Sequence, residues 1–401
     1  MHHVLLLGAG KIGSAIARLL GSTGDYDVLV GDVDPAALAR VAKGAAGVTT
    51  VKLDVSNPAD LRKAMAGRQS VLSACSFNVN PGIADAALAC GLSYFDLTED
   101  VETTRTIKRL AKSAKPGQIF MPQCGLAPGF VSIAAHHLTH GFEKLEEVRM
   151  RVGALPQFPT NEMKYNLTWS TDGLINEYGN PCECIHDSKL IEVLPLEGLE
   201  HFSLDGVDYE AFNTSGGVGT LCASLKGRVR TLNYKTIRYR GHRDLIAFLM
   251  NELHLNRRRS MLKDILESAV PVTPQDVVLI FCTVTGWKDG RLTQITDARK
   301  IYAADVLAER WSAIQITTAA GICAALDLHA MEAKFGQGFV KQEAVSLDEF
   351  IANRFGRHYA SATELASAAR EAAGRSAVTT APDAGATRAA AAAAAAAATI
   401  V

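Results

Sequence analysis

Over about the first 145 residues, short apolar runs alternate with amphipathic stretches. Val4–Leu7 reads as a buried strand. The segment from Gly13 to Leu20 begins a helix, with Ile12, Ile16, Leu19 and Leu20 on one face. Val28–Val30 reads as the second strand. "DPAALARVAKG" follows as a helix, with Pro35 suited to its first turn and Gly44 to its end. "VTTVKLDV" is the third strand, and "NPADLRKAMAG" a helix capped by Asn57 and ended by Gly67. "SVLSACS", "SYFDL" and "QIFMPQC" read as strands four to six, with the helix "PGIADAALACG" between the first two of these. Alternation at this spacing predicts an α/β fold built on a Rossmann-type parallel sheet covered on both faces.

The pattern then changes. "LEEVRMRVGAL", "NLTWS", "KLIEVLPL", "HFSLDGVDYEAF", "VRTLNYKTIRYRG" and "VVLIFCTVTGWKDGRLTQIT" are rich in β-branched and aromatic residues, and "DG" turn signals lie within them. This predicts a mixed, largely antiparallel α+β domain inserted into the first. Helices return at "HRDLIAFLMNEL" and at "AERWSAIQITTAAGICAALDLHAM", the latter expected to pack back on the first domain. The organisation is therefore read as a discontinuous dinucleotide-binding domain over 1–128 and about 311–358. A substrate and dimerisation domain covers 129–310. An Ala-rich tail over 361–401 ends in the run Ala389–Ala398, which offers no amphipathic face to bury.

Composition narrows the function classes. A chain of 401 residues has room for two domains and a substantial core. A formal net charge of −1 provides no strongly basic surface for nucleic acid or an anionic membrane. No apolar run reaches the roughly 18 residues of a membrane span. "HHVLLLGAGKIG" lacks the basic start of a signal peptide. Eight scattered cysteines make a disulfide framework unexpected and point to a reducing, cytoplasmic setting. Cys182, Cys184 and His186 stand close in sequence, but no second ligand pair has usable spacing, so no metal is expected.

The turn after the first strand carries the first chemistry. Gly8, Gly10 and Gly13 spell G-x-G-x-x-G between a strand and a helix. Gly8 permits the tight turn, Gly10 lets backbone approach a pyrophosphate, and Gly13 lets helix and strand pack closely. The helix N-terminus offers free N–H groups to the phosphates, with Lys11 and Ile12 beside them. Asp32 closes the second strand about 20 residues on, where a carboxylate accepts from ribose hydroxyls and repels a 2′-phosphate. No arginine follows directly in "GDVDPAAL", so NAD is favoured over NADP. Asp54 and Val55 end the third strand, Cys75 and Ser76 the fourth, and Leu97 and Thr98 the fifth. Strand ends of this kind border the cofactor in open parallel sheets.

"LLLGAGKIGSAIARLL", "PQCGLAPGF", "EAFNTSGG" and "KTIRYRGHRDLI", in this order, resemble the saccharopine dehydrogenase family, whose relatives include lysine 6-dehydrogenase. The similarity spans roughly residues 1–358. It implies an NAD(P)-binding Rossmann domain with an inserted α/β substrate domain, acting on a C–N bond of lysine or a lysine-derived amino acid. Fungal-type saccharopine reductases carry an acid in the turn, as G-L-D-P-G, where this chain has Ala127. An alanine there looks more like the lysine 6-dehydrogenase branch. The fungal enzymes also place a tyrosine after the fifth strand, where this chain has "DLTED".

Oxidising an amine to an imine requires a neutral amine and a base for its proton. Glu99 and Asp100 are the candidate catalytic carboxylates, and adjacent carboxylates raise each other's pKa. "TEDVE" reads equally as a helix start with Thr98 as its cap. For a substrate α-carboxylate the candidates are Arg238, which shares a strand face with Arg240, and His242. Thr214 and Ser215 of "NTSGG" offer either a polar cradle or an ordinary polar turn, and Tyr165 and Trp169 alternate along a strand either as pocket lining or as core aromatics. Two substrates compete: lysine, releasing ammonia, and saccharopine, cleaved to glutamate and a semialdehyde. A different class of reading is a non-catalytic dinucleotide-binding sensor or scaffold. The expected partners are a small amino-acid substrate and a second copy in a homodimer, with neither nucleic acid nor membrane.

Overall fold

Leu5, Leu6 and Leu7 sit fully buried in the middle of a parallel sheet in the computed structural model, which describes residues 1–45, 47–361 and 363–365. The strands are β1 (His2–Leu7), β2 (Tyr26–Asp32), β3 (Val48–Lys52), β4 (Ser70–Ser73), β5 (Ser93–Asp96) and β6 (Ile119–Met121). They lie in the order β6-β5-β4-β1-β2-β3, and every pairing is parallel. Helices α1 (Lys11–Gly21), α2 (Pro35–Gly44), α3 (Pro58–Met65), α4 (Asn80–Cys90) and α5 (Val101–Leu110) connect them. Local chemistry sets their starts. Asp34 accepts from the Ala36 N–H ahead of α2, and Asn57 from Ala59 and Asp60 ahead of α3, each with proline in the first turn. This strand order places ligands beyond the carboxyl ends of β1 and β4, where the connections diverge.

The second sheet follows α6 (Phe130–Leu138). Its strands are β7 (Lys144–Pro156), β8 (Cys182–His186), β9 (Lys189–Val193), β10 (Glu200–Leu204), β11 (Val207–Asn213), β12 (Val229–Tyr239), β13 (Asp276–Lys288) and β14 (Arg291–Tyr302). Its main path is β10-β11-β12-β7-β13-β14, with β8 and β9 attached to β12. Only β12 and β7 run parallel. Both "DG" pairs form two-residue hairpin turns with positive φ at each position: Asp205-Gly206 joins β10 to β11, and Asp289-Gly290 joins β13 to β14. Four further helices belong to this part of the chain: α7 (Thr171–Gly179), α8 (Leu221–Leu225), α9 (His242–Ala247) and α10 (Arg259–Ala269).

After the hairpin of β15 (Ala304–Val306) and β16 (Glu309–Trp311), α11 (Ala313–Ala330) packs against α1. By length and composition α11 could cross a bilayer, but it is a core helix, buried on all sides. The chain then adds β17 (Gly338–Phe339) beside β6, followed by α12 (Leu347–Ala352). One hydrophobic cluster joins Ile16 and Leu20 of α1, Ile133 of α6, Val148 of β7, Ile280 of β13 and Ala320 of α11.

Four sequence expectations need correction, the first being "NLTWS", which is not a strand but a loop held by a single bridge from Leu167 to Val272. Glu309–Trp311 is strand, not helix, because Ser312 and Gln315 form a capping box that starts α11 only at Ala313. "HRDLIAFLMNEL" divides into α9 and a π-helical turn, Phe248–Glu252. Strand "QIFMPQC" is shorter, because Gln123 takes a positive φ. Cys182 and Cys184 alternate onto the buried face of β8, and no cluster of metal-ligating side chains occurs among the described residues. The alanine run lies outside the described residues.

Candidate active site

The glycine turn is shaped by contacts that a side chain would abolish. Gly8 has φ +97°, and a Cβ on Gly13 would lie 1.8 Å from the Gly8 carbonyl oxygen. At Gly10 a Cβ would meet nothing within 4 Å, which marks the open side of the turn. No side chain caps α1, so its first-turn amides are free for phosphate oxygens. Asp32 Oδ2 accepts from the Ala9 N–H at 2.6 Å and Oδ1 from the Asp34 N–H at 2.8 Å. Each oxygen keeps a further acceptor position. The nearby Arg40 reaches Asp34, at 3.9 Å, rather than Asp32. Open glycine, close helix, uncapped amides and a terminal carboxylate together fit a dinucleotide.

A cavity of about 570 Å³ opens beside this turn. One wall is Gly10, Lys11, Ile12 and Gly13 with Cys75, Ser76, Leu97 and Thr98 from the ends of β4 and β5. The opposite wall is Thr168, Trp169 and Glu177 with Tyr234, Thr236 and Arg238 of β12. Glu99 and Ala127 lie between the walls, and the alanine presents a methyl group where an acid was absent from the turn motif.

Asp96 braces the strand ends. It is fully buried and accepts from the Tyr94 hydroxyl at 2.7 Å, the Thr98 N–H at 3.0 Å and the Gln123 N–H at 2.9 Å. Burial raises its pKa to about 6. Glu99 follows on the loop this network holds. It opens only to the cavity, and desolvation pushes its pKa up to about 7, with Asp100 and Asp96 adding to the shift. Its Oε1 lies against α7, where a Cβ on Gly173 would come within 3.2 Å of it. The same helix carries Glu177 one turn on, 6% exposed, and burial raises that carboxyl to about 8. Arg238 is 2% exposed. Its Nε donates to the Tyr178 hydroxyl at 2.8 Å, and Nη1 donates to Thr236 Oγ1 at 2.9 Å and to the Ile237 carbonyl at 2.8 Å.

Several candidates from the sequence fall elsewhere. Asp100, not Thr98, is the N-cap of α5: its carboxylate accepts from the Thr103 N–H at 2.7 Å, which turns it from the cavity. His242 is sealed between the Tyr178 hydroxyl, 3.0 Å, and the Met163 carbonyl, 2.9 Å. Burial lowers its pKa to about 3, so it is neutral and braces Tyr178 rather than pairing with a carboxylate. Tyr165 is buried behind Arg238, whose Cζ is 5.0 Å from the ring centroid. Thr214 and Ser215 lie beneath the cavity. The Ser215 N–H donates to the Glu177 carbonyl at 2.9 Å, and a Cβ on Gly216 would lie 2.3 Å from the Glu99 carbonyl oxygen. "NTSGG" is thus a close-packed shelf, not a cradle. Asp54 is exposed outside the cavity, its carboxylate held below the usual range by Ser56, with Val55 beside it. Cys75 lines the cavity, but burial pushes its thiol up to about 11. Glu177 was missed. Its one signal was the polar pair Asn176-Glu177 between the apolar Leu174-Ile175 and Tyr178 in "GLINEYG".

Fold and turn together define a Rossmann-type pyridine-dinucleotide-binding protein. The chain belongs to the saccharopine dehydrogenase family: the model for the saccharopine dehydrogenase NADP binding domain matches residues 4–120, and that for the C-terminal domain matches 125–355. A relative in Schizosaccharomyces pombe, saccharopine dehydrogenase [NADP(+), L-glutamate-forming], is 22% identical over 267 residues. That match covers 63% of this chain and 58% of the relative, so less than two thirds of the relative's length is spanned. In structure, the chain resembles apo saccharopine dehydrogenase (L-Glu forming) from Saccharomyces cerevisiae, with a TM-score of 0.70 and 17% identity over 87% of this chain and 95% of that one. At that identity the likeness establishes the shared fold.

Proposed function

We propose that this protein is a pyridine-nucleotide-dependent oxidoreductase that oxidises the terminal C–N bond of lysine, with NAD preferred to NADP. The reading is carried by the charges set deepest in the cavity: Glu177 and the largely desolvated Glu99 face one guanidinium, Arg238, beside the glycine turn, while Glu267 and Lys11 line it as exposed side chains. Lysine carries two ammonium groups and one carboxylate, which these three side chains complement one for one. Saccharopine carries three carboxylates, and beyond Arg238 the wall supplies only Lys11 as a further cation. Bound nicotinamide supplies a hydride acceptor. Glu99 holds a pKa of about 7, so near neutrality it can take the proton that frees the nitrogen lone pair. Asp96 is committed to backbone and hydroxyl donors and leaves that task to Glu99. The NAD preference rests on Asp32, a carboxylate at the end of β2 without a cation beside it to receive a 2′-phosphate.

The test is incubation of the protein with NAD or NADP and with lysine or saccharopine, following reduced nicotinamide by absorbance. Lysine turnover with ammonia release, faster with NAD, is expected. Glutamate release from saccharopine without lysine turnover would replace the substrate, and a higher kcat/KM with NADP would overturn the cofactor preference.

A further inference from the structure

Glu177 and Arg238, an acid and a guanidinium, line one cavity, yet they do not pair. Each feels the other's field, but they do not approach to the 4.0 Å of an ion pair. The Glu177 carboxylate has no hydrogen-bond donor among the described residues, and the Nη2 of Arg238 takes no part in the bonds that anchor Nε and Nη1. Beside them, Thr168 lines the cavity with its hydroxyl near only the Tyr165 hydroxyl, and Thr214 Oγ1 is buried without a partner. Leaving charges buried and unpaired costs several kcal/mol. A slot that keeps an acid and a guanidinium apart suits a ligand that brings both charges on adjoining atoms.

We propose that Glu177 and Arg238 hold the α-amino-acid head of the substrate, Glu177 taking the α-ammonium and Arg238 the α-carboxylate. This rests on the amino-acid oxidation proposed above and divides Glu99 and Glu177, the two desolvated carboxyls of the cavity, between the two ends of one molecule. Glu177 becomes a specificity residue for the far end, and Glu99 serves the reacting nitrogen. The substrate class is then an α-amino acid with a second amine at the end of its side chain. A substrate without the α-amine leaves the Glu177 carboxyl unpaired, and one without the carboxylate leaves Arg238 unpaired.

The test uses three compounds of similar length: lysine, 6-aminohexanoate, which lacks the α-amine, and 1,5-diaminopentane, which lacks the carboxylate. The wild-type protein should prefer lysine to each by at least 100-fold in kcat/KM. In Glu177→Gln the lysine value should fall about 100-fold, mostly through KM, while that for 6-aminohexanoate falls less than fivefold. Equal losses on both compounds, chiefly in kcat, would place Glu177 at the reacting nitrogen and overturn the assignment. So would a wild-type protein that accepts 6-aminohexanoate as readily as lysine, a comparison that needs no variant if Glu177→Gln does not fold. If lysine is bound but not turned over, the proposed reaction fails on its own. Calorimetry then decides the head site: lysine bound by wild type and at least tenfold more weakly by Glu177→Gln upholds it, and equal or no binding overturns it.

Discussion

Around the glycine turn, polar groups are either paired within the protein or presented as backbone amides at a helix start. Asp32 ties the turn to β2, and Asp96 gathers donors from β5 and β6. Across the cavity the opposite holds. Arg238 faces it with Nη2 outside the bonds that anchor its other nitrogens, and Glu177 is an acid without a donor, its pKa raised toward 8. The first wall is made mainly of backbone, whose amides suit a pyrophosphate. The second is made of side chains whose hydrogen bonds and charges are completed only by what binds there. Such a wall is costly in the empty protein and selective when filled.

Substituting Gly13 by alanine should do the most to break the first wall. The new Cβ meets backbone, not a yielding side chain, so dinucleotide affinity should fall more than 100-fold in a fluorescence titration; unchanged affinity would refute the close-packing argument. On the second wall, Glu99→Gln should lower kcat on the order of 100-fold while dinucleotide affinity changes less than threefold. In the wild type, kcat should rise with pH as Glu99 loses its proton, and this limb should vanish in the variant; kcat is the reading because kcat/KM also follows Glu177, which titrates near 8 in the empty protein. A variant that keeps the limb would move the base elsewhere.

The raised carboxyls also bear on stability. An unfolded glutamate titrates near 4.5, whereas Glu177 in the folded chain titrates near 8. Between those values the folded state binds more protons than the unfolded one, so stability falls as pH rises through the window. Glu177→Gln removes that loss. Its melting temperature relative to wild type should increase from pH 5 to pH 9, a difference on the order of a few kcal/mol, and a flat difference would show that Glu177 is solvated. Asp32→Ala should cost NAD about tenfold in affinity and NADP little, which competitive titration would detect. The smallest effect is expected for Asp100→Ala: about 1 kcal/mol of stability from the lost cap, with kcat within twofold. A hundredfold loss of kcat there would return Asp100 to the chemistry.

Much of this protein was legible where the interactions are local. The turn at Gly8–Gly13, the caps at Asn57 and Pro35's first turn, and the two "DG" hairpins depend on φ preferences and on hydrogen bonds spanning a few residues. So the parallel sheet and the dinucleotide turn could be read from the chain alone. Local reading already failed at "TEDVE", where Thr98 was read as the cap and Asp100 takes that place. It failed more fully for the substrate wall. Arg238 sits on β12, Glu177 on α7 and Glu99 after β5, so their meeting depends on how two sheets and a helix pack. Their spacing in the chain carries no trace of it. What the sequence by itself determined was the frame and the place of the cofactor, because backbone conformation and short-range hydrogen bonds set both. What only the tertiary structure decided was which charges share the cavity and which are neutralised, because desolvation and electrostatic pairing act through space.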